Sequence, residues 1–273
     1  MSLLEVIVLG IVQGLTEFLP ISSTAHLVVF SKLFFGNDPG LGFDIALHMG
    51  TLAAVLIYFF RDWLQILGNG IGLRLGGDPA LDRNRNLLWL LVLGTIPAGI
   101  AGLVFQKQAD TVLRTPYVIG TTMIVVGLFL WWADRIGRGQ KEMDHVSMVD
   151  SISVGLAQML SVIPGVSRSG ITISAGLLRN LDRATAAKFS FLLSTPIILG
   201  AGAKDAWDLL KHKDTIPPDM QIAFIVGILV SAITGIATIA FFLNYLRRRS
   251  FTVFVAYRVI FGIMVIALAK YFR

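Results

Sequence analysis

The chain has 273 residues, of which 55% are hydrophobic and 15% are charged, and its mean hydropathy is +0.75. Because a soluble domain carries about 25% charged residues, this composition excludes an ordinary soluble protein and predicts an integral membrane protein. We expect the net charge of +6 to lie in loops beside an anionic leaflet, so it does not indicate nucleic-acid binding. The absence of cysteine excludes disulfides and thiolate sites.

The first apolar region in chain order is residues 2–36, which shows no basic leader and no cleavage pattern, so we expect it to remain in the mature protein. It is interrupted by the polar stretch "QGLTEFLPISSTAH" (13–26), and a second region, 149–180, is interrupted by "PGVSRSGIT" (164–172). A membrane-crossing helix needs roughly 20 apolar residues. Six other stretches meet or nearly meet this length: 43–60, 87–106, 116–133, 189–206, 222–244 and 251–271.

The two interrupted regions are predicted to enter the membrane and return on the same side. The helical pieces on either side of each interruption have roughly 12–17 residues, which cover about 18–26 Å of a core that is about 30 Å thick. Irregular backbone at membrane depth is tolerated where it is buried in protein or lines a cavity. Each region is therefore interpreted as a re-entrant helical hairpin.

The two regions also resemble each other in sequence. "GIVQGLTEFLPISST" begins at Gly10 and "GLAQMLSVIPGVSRS" begins 145 residues later at Gly155. This offset aligns Gln13 with Gln158 and Ser22 with Ser167. Three spans follow each region, and because three is odd, the second half must insert upside down. The prediction is an all-α, polytopic membrane protein with a single domain (1–273) and inverted-topology repeats over 1–135 and 149–273. It has six transmembrane helices and two re-entrant hairpins, and the hairpins meet near the midplane.

The distribution of basic residues predicts the orientation. One side collects Arg61, Arg74, Arg83, Arg85, Arg135, Arg138, Lys141, Arg179, Arg183, Arg247, Arg248 and Arg249. The other side collects Lys32, Lys107, Arg114, Lys204, Lys211, Lys213, Lys270 and Arg273. The larger set is assigned to the cytoplasm, which puts both termini and the opening of the first hairpin on the outer side. The stretch 68–86 is then a cytoplasmic loop.

The first hairpin carries an unusual set of polar groups. Gln13 and Glu17 are four residues apart, so they share one helix face. Pro20 ends that helix, and Ser22 or Ser23 can cap the returning one. His26 then falls near the cap, where unpaired N–H groups and the helix dipole favour an anion.

The second hairpin repeats this arrangement with different side chains. Pro164 and Gly165 break the chain, Arg168 lies in the break, and a serine, Ser167 or Ser169, caps the next helix. Thr172 lies about one turn further along. Arg258 lies within the last span, close to the midplane. The predicted ligand is a phosphate ester or diphosphate, which suits a site with two arginines, hydroxyls, an imidazole and a carboxylate. Glu17 and Gln13 could also hold Mg²⁺ or Ca²⁺, with phosphate oxygens and water completing the coordination shell.

Each residue also has a structural alternative. Ser22 and Ser167 can be simple helix caps, Arg258 can bind Glu17 or a backbone carbonyl, and His26 can be a packed interface residue. His48 and Asp44, at the start of the first full span, are interpreted as structural. At the level of function, paired hairpins in inverted repeats are also a transporter architecture, so a transporter or flippase for a lipid phosphate or small anion is the alternative.

The motifs resemble those of the undecaprenyl-diphosphate phosphatase family, the bacitracin-resistance type of bacterial membrane protein. "QGLTEFLPISSTAH" is a form of the (E/Q)-x-x-x-E motif with its following serines and histidine, and "PGVSRSGIT" matches P-G-x-S-R-S-x-x-T. "FSFLLSTP" (189–196) and "AYR", which ends at Arg258, also look like family positions. Position 13 is Gln where some members have Glu, and position 25 is Ala where Gly is common.

The resemblance implies an enzyme of the bacterial cytoplasmic membrane that removes the terminal phosphate of the C55 polyprenyl diphosphate on the outer face. The product re-enters the carrier cycle of peptidoglycan synthesis, and bacitracin is antagonised indirectly. A divalent cation is the implied cofactor. Lipid substrate and membrane lipids are the expected partners, and a homodimer is left open.

The residue roles are stated as a hypothesis. Arg168 and the cation bind the diphosphate, Ser23 is the nucleophile, and His26, three positions later, activates it. Glu17 and Gln13 hold the cation or orient His26. Direct attack by His26 or by a metal-bound water remains open. The predicted substrate-binding residues are Ser22, Thr24, Ser167, Ser169, Thr172 and Arg258.

Overall fold

The computed structural model describes residues 1–36, 41–212 and 218–272. Its regular structure in these ranges is helical, joined by turns and loops, apart from one isolated bridge between Lys141 and Leu181. Of the basic residues used to predict the orientation, Lys213 and Arg273 lie outside the described residues. The prediction of an all-α fold is confirmed for the part of the chain that is described.

The first interrupted region forms two helices separated by a turn. α1 (Leu3–Thr16) begins with a capping box in which the side chains of Ser2 and Glu5 each bind the backbone N–H of the other. It ends four residues before Pro20, and α2 (Ser23–Val29) starts after the turn and continues as a π-helical segment, Phe30–Phe35. We call residues 17–22 the first break.

The second interrupted region has the same plan. α8 (Met148–Met159) begins with a capping box between Ser147 and Asp150, 145 residues after the box at Ser2 and Glu5. A 3-10 turn (Leu160–Val162) leads into residues 163–167, which we call the second break, and α9 (Arg168–Leu178) comes next. The starts of α2 and α9 are also 145 residues apart, so the sequence repeat has a matching backbone.

The remaining helices surround these two regions. They are α3 (Leu41–Tyr58), α4 (Phe60–Gly70), α5 (Pro79–Arg83), α6 (Leu87–Thr111), α7 (Pro116–Ile136), α10 (Arg183–His212), α11 (Pro218–Leu246) and α12 (Thr252–Ala267).

Four helices in the described residues are long and apolar enough to cross a membrane: Leu87–Phe105, Pro116–Ile136, Arg183–Lys204 and Met220–Leu246. α3 and α4 give a fifth if they are taken as one span, but the chain bends by 75° between them. The predicted last span, 251–271, is a helix of 16 residues followed by a 3-10 turn. The chain is thus a multi-pass membrane protein, and the arrangement of six spans with two re-entrant hairpins stays a prediction.

Each interrupted region packs against a helix of the other half of the chain. α1 lies against α11, α8 lies against α6, and α7 lies against α12. Glycines permit these close approaches, since a Cβ added at Gly14 would lie 2.6 Å from the Cβ of Thr234, and one at Gly155 would overlap the backbone of Gly94. This packing across the halves fixes the positions of both breaks inside the molecule.

Candidate active site

The two breaks meet at a cavity of about 280 Å³. Arg168, the first residue of α9, donates from Nη2 to Oε1 of Glu17 at 2.9 Å, and Ser169 Oγ donates to the backbone carbonyl of Leu19 at 3.1 Å. The predicted residues that line the cavity are Glu17, Ser22, Ser23, Thr24, Ser167 and Arg168. The structure therefore brings together side chains that are about 150 residues apart in the chain.

A serine with a left-handed backbone conformation forms the end of each break. Ser22 has a φ of 75° and Ser167 a φ of 70°, values that residues other than glycine rarely adopt. Ser167 caps α9, because its Oγ accepts from the N–H of Gly170 at 3.1 Å, whereas Ser22 makes no side-chain capping bond to α2. The strained backbone turns the chain so that the next residue, Ser23 or Arg168, starts a helix at the cavity.

Glu17 organises the polar side of the cavity, and only 7% of it is exposed. Its Oε2 accepts from Ser23 Oγ at 2.7 Å and from Gln13 Nε2 at 3.1 Å, while its Oε1 accepts from Arg168. His48 Nε2, from α3, lies 3.5 Å from Oε2. A single carboxylate thus joins the first break to both α9 and α3, and its charge strengthens each hydrogen bond that it accepts.

The expected pairing of His26 with Ser23 is wrong in this conformation. His26 Nδ1 lies 2.7 Å from the carbonyl of Ser22, and since a carbonyl can accept but not donate, Nδ1 carries the proton. The remaining Nε2 lies 2.6 Å from the hydroxyl of Tyr257, and the ring stacks on Phe261 with centroids 4.3 Å apart. Both ring nitrogens are occupied, and the Ser23 hydroxyl instead donates to Glu17. A catalytic role for His26 stays a prediction.

Arg258 does not face the cavity and is fully buried. Its guanidinium donates to the backbone carbonyls of Pro20 (3.1 Å), Met123 (2.9 Å), Gly165 (3.0 Å) and Val166 (3.1 Å). These bonds involve all three guanidinium nitrogens and tie the first break to the second. In this conformation its guanidinium holds the backbone of both breaks, and the prediction that Arg258 binds substrate stays a prediction.

Two further predicted substrate-binding residues also lie outside the set that lines the cavity. Thr172 is buried, and its hydroxyl donates to the carbonyl of Arg168 at 2.7 Å. The same hydroxyl lies 2.7 Å from the hydroxyl of Ser190. Ser169 uses its hydroxyl on the carbonyl of Leu19 and lies 3.3 Å from the hydroxyl of Ser167. In this conformation Ser169 links α9 to the first break, and Thr172 links α9 to α10.

His48, which was expected from the sequence to be structural, lines the cavity. Its Nδ1 lies 2.7 Å from the carbonyl of Asp44, four residues earlier on α3. The signal in the sequence is weak, because one imidazole in an apolar helix does not show which side it faces. The rest of the cavity wall is largely apolar and comes from α3 and α10: Ile45, Met49, Ile197, Ile198 and Ala201.

The residues present can take part in a cation site but cannot complete one. Among the residues described, no group of three or more His, Asp or Glu side chains has the arrangement of a metal site. Glu17 supplies a carboxylate at the cavity. Gln13, the other predicted ligand, is not among the residues that line the cavity; its Nε2 donates to Glu17, and its buried Oε1 has no hydrogen-bond partner. An amide oxygen and a carboxylate suit a hard divalent cation whose remaining ligands are water and phosphate oxygens. Glu17 therefore fits a cation that is held jointly with a phosphate, and Gln13 Oε1 would join it only after rotation of the amide.

The sequence is similar to proteins of one family along almost its whole length. A family model described as bacitracin resistance protein BacA matches residues 6–264. The chain is 48% identical over 267 residues to the undecaprenyl-diphosphatase of Moorella thermoacetica, covering 98% of both chains. It is 48% identical over 269 residues to that of Pelotomaculum thermopropionicum, covering 98% of this chain and 97% of the relative. For that of Desulforudis audaxviator the identity is 45% over 272 residues, with 98% of each chain covered.

Proposed function

The chain belongs to the bacitracin resistance protein BacA family, and on that premise we propose that it hydrolyses undecaprenyl diphosphate to undecaprenyl phosphate and inorganic phosphate. The observation that carries the proposal is the contact between Arg168 and Glu17 across the two breaks, beside a cavity that also holds Ser23. The similar proteins named undecaprenyl-diphosphatase support hydrolysis over the alternative of transport.

The dimensions of the cavity fit a headgroup. Its volume of about 280 Å³ lies just below the roughly 300–1,000 Å³ of pockets that enclose drug-sized ligands, so a diphosphate fits and a long polyprenyl tail does not. The apolar side chains of α3 and α10 would contact the first part of the tail, and the rest would lie in the bilayer. The polar and apolar walls thus match the two ends of a lipid phosphate.

Positive charge is the main requirement for phosphoryl transfer, because negative charge builds up on the transferred group. Arg168 would supply it: Nη1 is fixed on the carbonyl of Ser190 at 3.1 Å and Nη2 on Glu17, so the guanidinium is held in place before substrate binds. A divalent cation bound by Glu17 and Gln13 would neutralise further phosphate charge.

Ser23 would act as the nucleophile, and its hydrogen bond to Glu17 rather than to His26 supports Glu17 as the group that accepts its proton. Ser23 Oγ would bond to the terminal phosphorus, the bond from that phosphorus to the bridging oxygen would break, and undecaprenyl phosphate would leave. The hydroxyl proton would pass to Glu17, and water would then release phosphate from the serine. Attack by His26 would require its ring to leave Tyr257, and attack by water remains the other route.

The proposed setting is the bacterial cytoplasmic membrane, with six spans, two re-entrant hairpins, both termini outside and the site open to the outer face. The matching capping boxes and the packing of each interrupted region on the opposite half support inverted repeats over 1–135 and 149–273. The proposed partners are the polyprenyl diphosphate and membrane lipids. Recycling the carrier would support peptidoglycan synthesis and oppose bacitracin indirectly.

Phosphate release from undecaprenyl diphosphate by the purified protein in detergent tests this function. A transporter needs two compartments to show activity, whereas a phosphatase releases phosphate in a single one. We expect one phosphate per lipid and a lipid monophosphate product. The absence of release by folded protein supplied with divalent cation would contradict the proposal.

Substitution of Ser23 by Ala tests the nucleophile in the same assay. We expect the rate to fall by about 10³-fold, in the range attributed to a lost catalytic group. Ser153→Ala is the matched control, because Ser153 is exposed on α8 and donates to its own helix. A Ser23→Ala rate within a few-fold of wild type would exclude Ser23, and locating the label in a trapped phosphoenzyme would separate serine from histidine.

A further inference from the structure

The two histidines near the cavity have the same bond at Nδ1 and different surroundings at Nε2. In both rings Nδ1 lies 2.7 Å from the backbone carbonyl four residues earlier, that of Ser22 for His26 and that of Asp44 for His48. Since that carbonyl accepts the Nδ1 proton, the neutral ring has its lone pair on Nε2. Tyr257 occupies this lone pair in His26, but in His48 it lies beside Glu17 at the cavity.

The separation between His48 and Glu17 is close to that of two ligands of one ion. Nε2 and Oε2 are 3.5 Å apart, which is longer than the roughly 2.7–2.9 Å of a charge-assisted hydrogen bond. A cation about 2.1 Å from both a nitrogen and an oxygen brings these two atoms to about 3.0–3.4 Å from each other. A shift of a few tenths of an ångström would therefore satisfy a shared ion.

The hydrogen bond at Nδ1 is typical of a metal-binding histidine. A ring that ligates through one nitrogen usually donates from the other to a carbonyl or carboxylate, which fixes its tautomer and orientation. His48 has this partner in place, and its side chain is 31% exposed. Gln13, which donates to the same Glu17 oxygen, has a buried Oε1 without a partner.

We propose that His48 Nε2 ligates the divalent cation together with Glu17. The inference deepens the proposed function and rests on it, because the remaining ligands would be phosphate oxygens of the lipid. One nitrogen donor favours cations that accept imidazole, such as Mn²⁺ or Zn²⁺, over Ca²⁺, which prefers oxygen ligands. An imidazole ligand would raise the affinity for such cations relative to a site of oxygen donors alone.

Pulsed electron paramagnetic resonance on Mn²⁺ tests this directly, because a bound imidazole nitrogen modulates the Mn²⁺ signal. The probe is purified protein in detergent with Mn²⁺ and methylenediphosphonate, a diphosphate analogue that cannot be hydrolysed at its bridge. We expect nitrogen modulation in wild type and its loss in His48→Gln. The affinity for Mn²⁺ should fall about tenfold in this variant, with a smaller change for Ca²⁺.

His145→Gln is the matched control, because His145 is an exposed imidazole 2.6 Å from the Asp144 carboxylate and could bind Mn²⁺ adventitiously. The modulation should persist in this control. Wild type labelled with ¹⁵N-histidine gives the same test without any substitution, since the modulation must change to that of ¹⁵N. Persistent nitrogen coupling in folded His48→Gln, unchanged modulation in the labelled protein, or absence of bound Mn²⁺ would each overturn the proposal.

Phosphate release by the same preparations separates this inference from the proposed function. Release by wild type without nitrogen coupling would remove His48 from the cation site and leave the phosphatase intact. Nitrogen coupling that His48→Gln abolishes, in a protein that releases no phosphate, would support the ligand and contradict the function.

Discussion

Ser22 and Ser167 end the two breaks with nearly equal φ values, 75° and 70°, and each precedes the first residue of a helix. The residues after these serines differ, because Ser23 starts α2 and Arg168 starts α9. At the same offset of 145 residues, Glu17 corresponds to Val162 and His26 to Ile171. The two breaks therefore share a backbone and differ in the side chains that it presents.

This difference shows how a repeated backbone can build one site. The first break contributes a carboxylate and a hydroxyl, and the second contributes a guanidinium that binds the same carboxylate. In the proposed mechanism, the second break binds the phosphate and the first break attacks it. The interpretation is that the repeat supplies two helix starts at one cavity and that divergence of the side chains supplies the chemistry.

Removing the charge of the first break should have the largest effect. Glu17→Gln keeps the shape but loses the anion that accepts from Ser23 and Arg168, so we expect kcat/KM for phosphate release to fall by about 10³-fold. Glu5→Gln is the control, because Glu5 is exposed in the capping box of α1, and it should keep nearly full activity. Equal losses in the two variants would remove Glu17 from the site.

Separating the two breaks should destabilise the fold. Arg258→Met leaves the carbonyls of Pro20, Gly165 and Val166 without their shared donor, and we expect a loss of about 3 kcal/mol or more in the free energy of unfolding. Thermal unfolding in detergent measures this, with Arg74→Met, in an exposed loop, as the control. A stable Arg258→Met protein with reduced affinity for substrate would contradict this structural role and support the predicted substrate-binding role.

Weakening the second break should have an intermediate effect on activity. Lysine keeps the charge of Arg168 but lacks the planar fork that reaches Glu17 and Ser190 together, so Arg168→Lys should lower kcat/KM by about 10–100-fold. Arg135→Lys is a suitable control, because Arg135 is exposed and stacks on Trp131. Unchanged kinetics in Arg168→Lys would show that charge alone is required.

The smallest expected effect distinguishes the two serines. Ser167→Ala removes the capping bond to Gly170 and should cost about 1 kcal/mol of stability, whereas Ser22→Ala removes no capping bond and should cost less. The strain of a positive φ is similar for Ser and Ala, so it cancels in this comparison. Denaturation of both variants in detergent measures the difference, and a larger loss in Ser22→Ala would reverse the assignment.

The features of the fold that depend on local sequence could be predicted. Apolar composition predicts a helical membrane protein, and the matched stretches that begin at Gly10 and Gly155 predict two similar breaks. The bend of 75° after Tyr58 and the π-helical segment Phe30–Phe35 have no clear local signal. They depend on packing between elements, which a single sequence does not show.

The site was predictable as a set of residues but not as a set of contacts. Glu17, Ser23 and Arg168 stand out because polar groups are costly in a membrane, and the structure places them together. Tyr257 lies in the stretch "AYR", but its contact with His26 depends on how α12 packs beside α2, and the sequence left open whether Arg258 binds Glu17 or a backbone carbonyl. The position of His48 was missed because its approach to Glu17 depends on how α3 packs beside the first break.

A double-substitution cycle on Glu17 and Arg168 tests most directly the claim that the two breaks act as one site. Phosphate release from undecaprenyl diphosphate would be measured for wild type, Glu17→Gln, Arg168→Lys and the combined variant. Because the two residues bind each other, we predict that the combined loss in kcat/KM is well below the product of the two single losses. A combined loss equal to that product would show that the two residues act independently and would contradict the account.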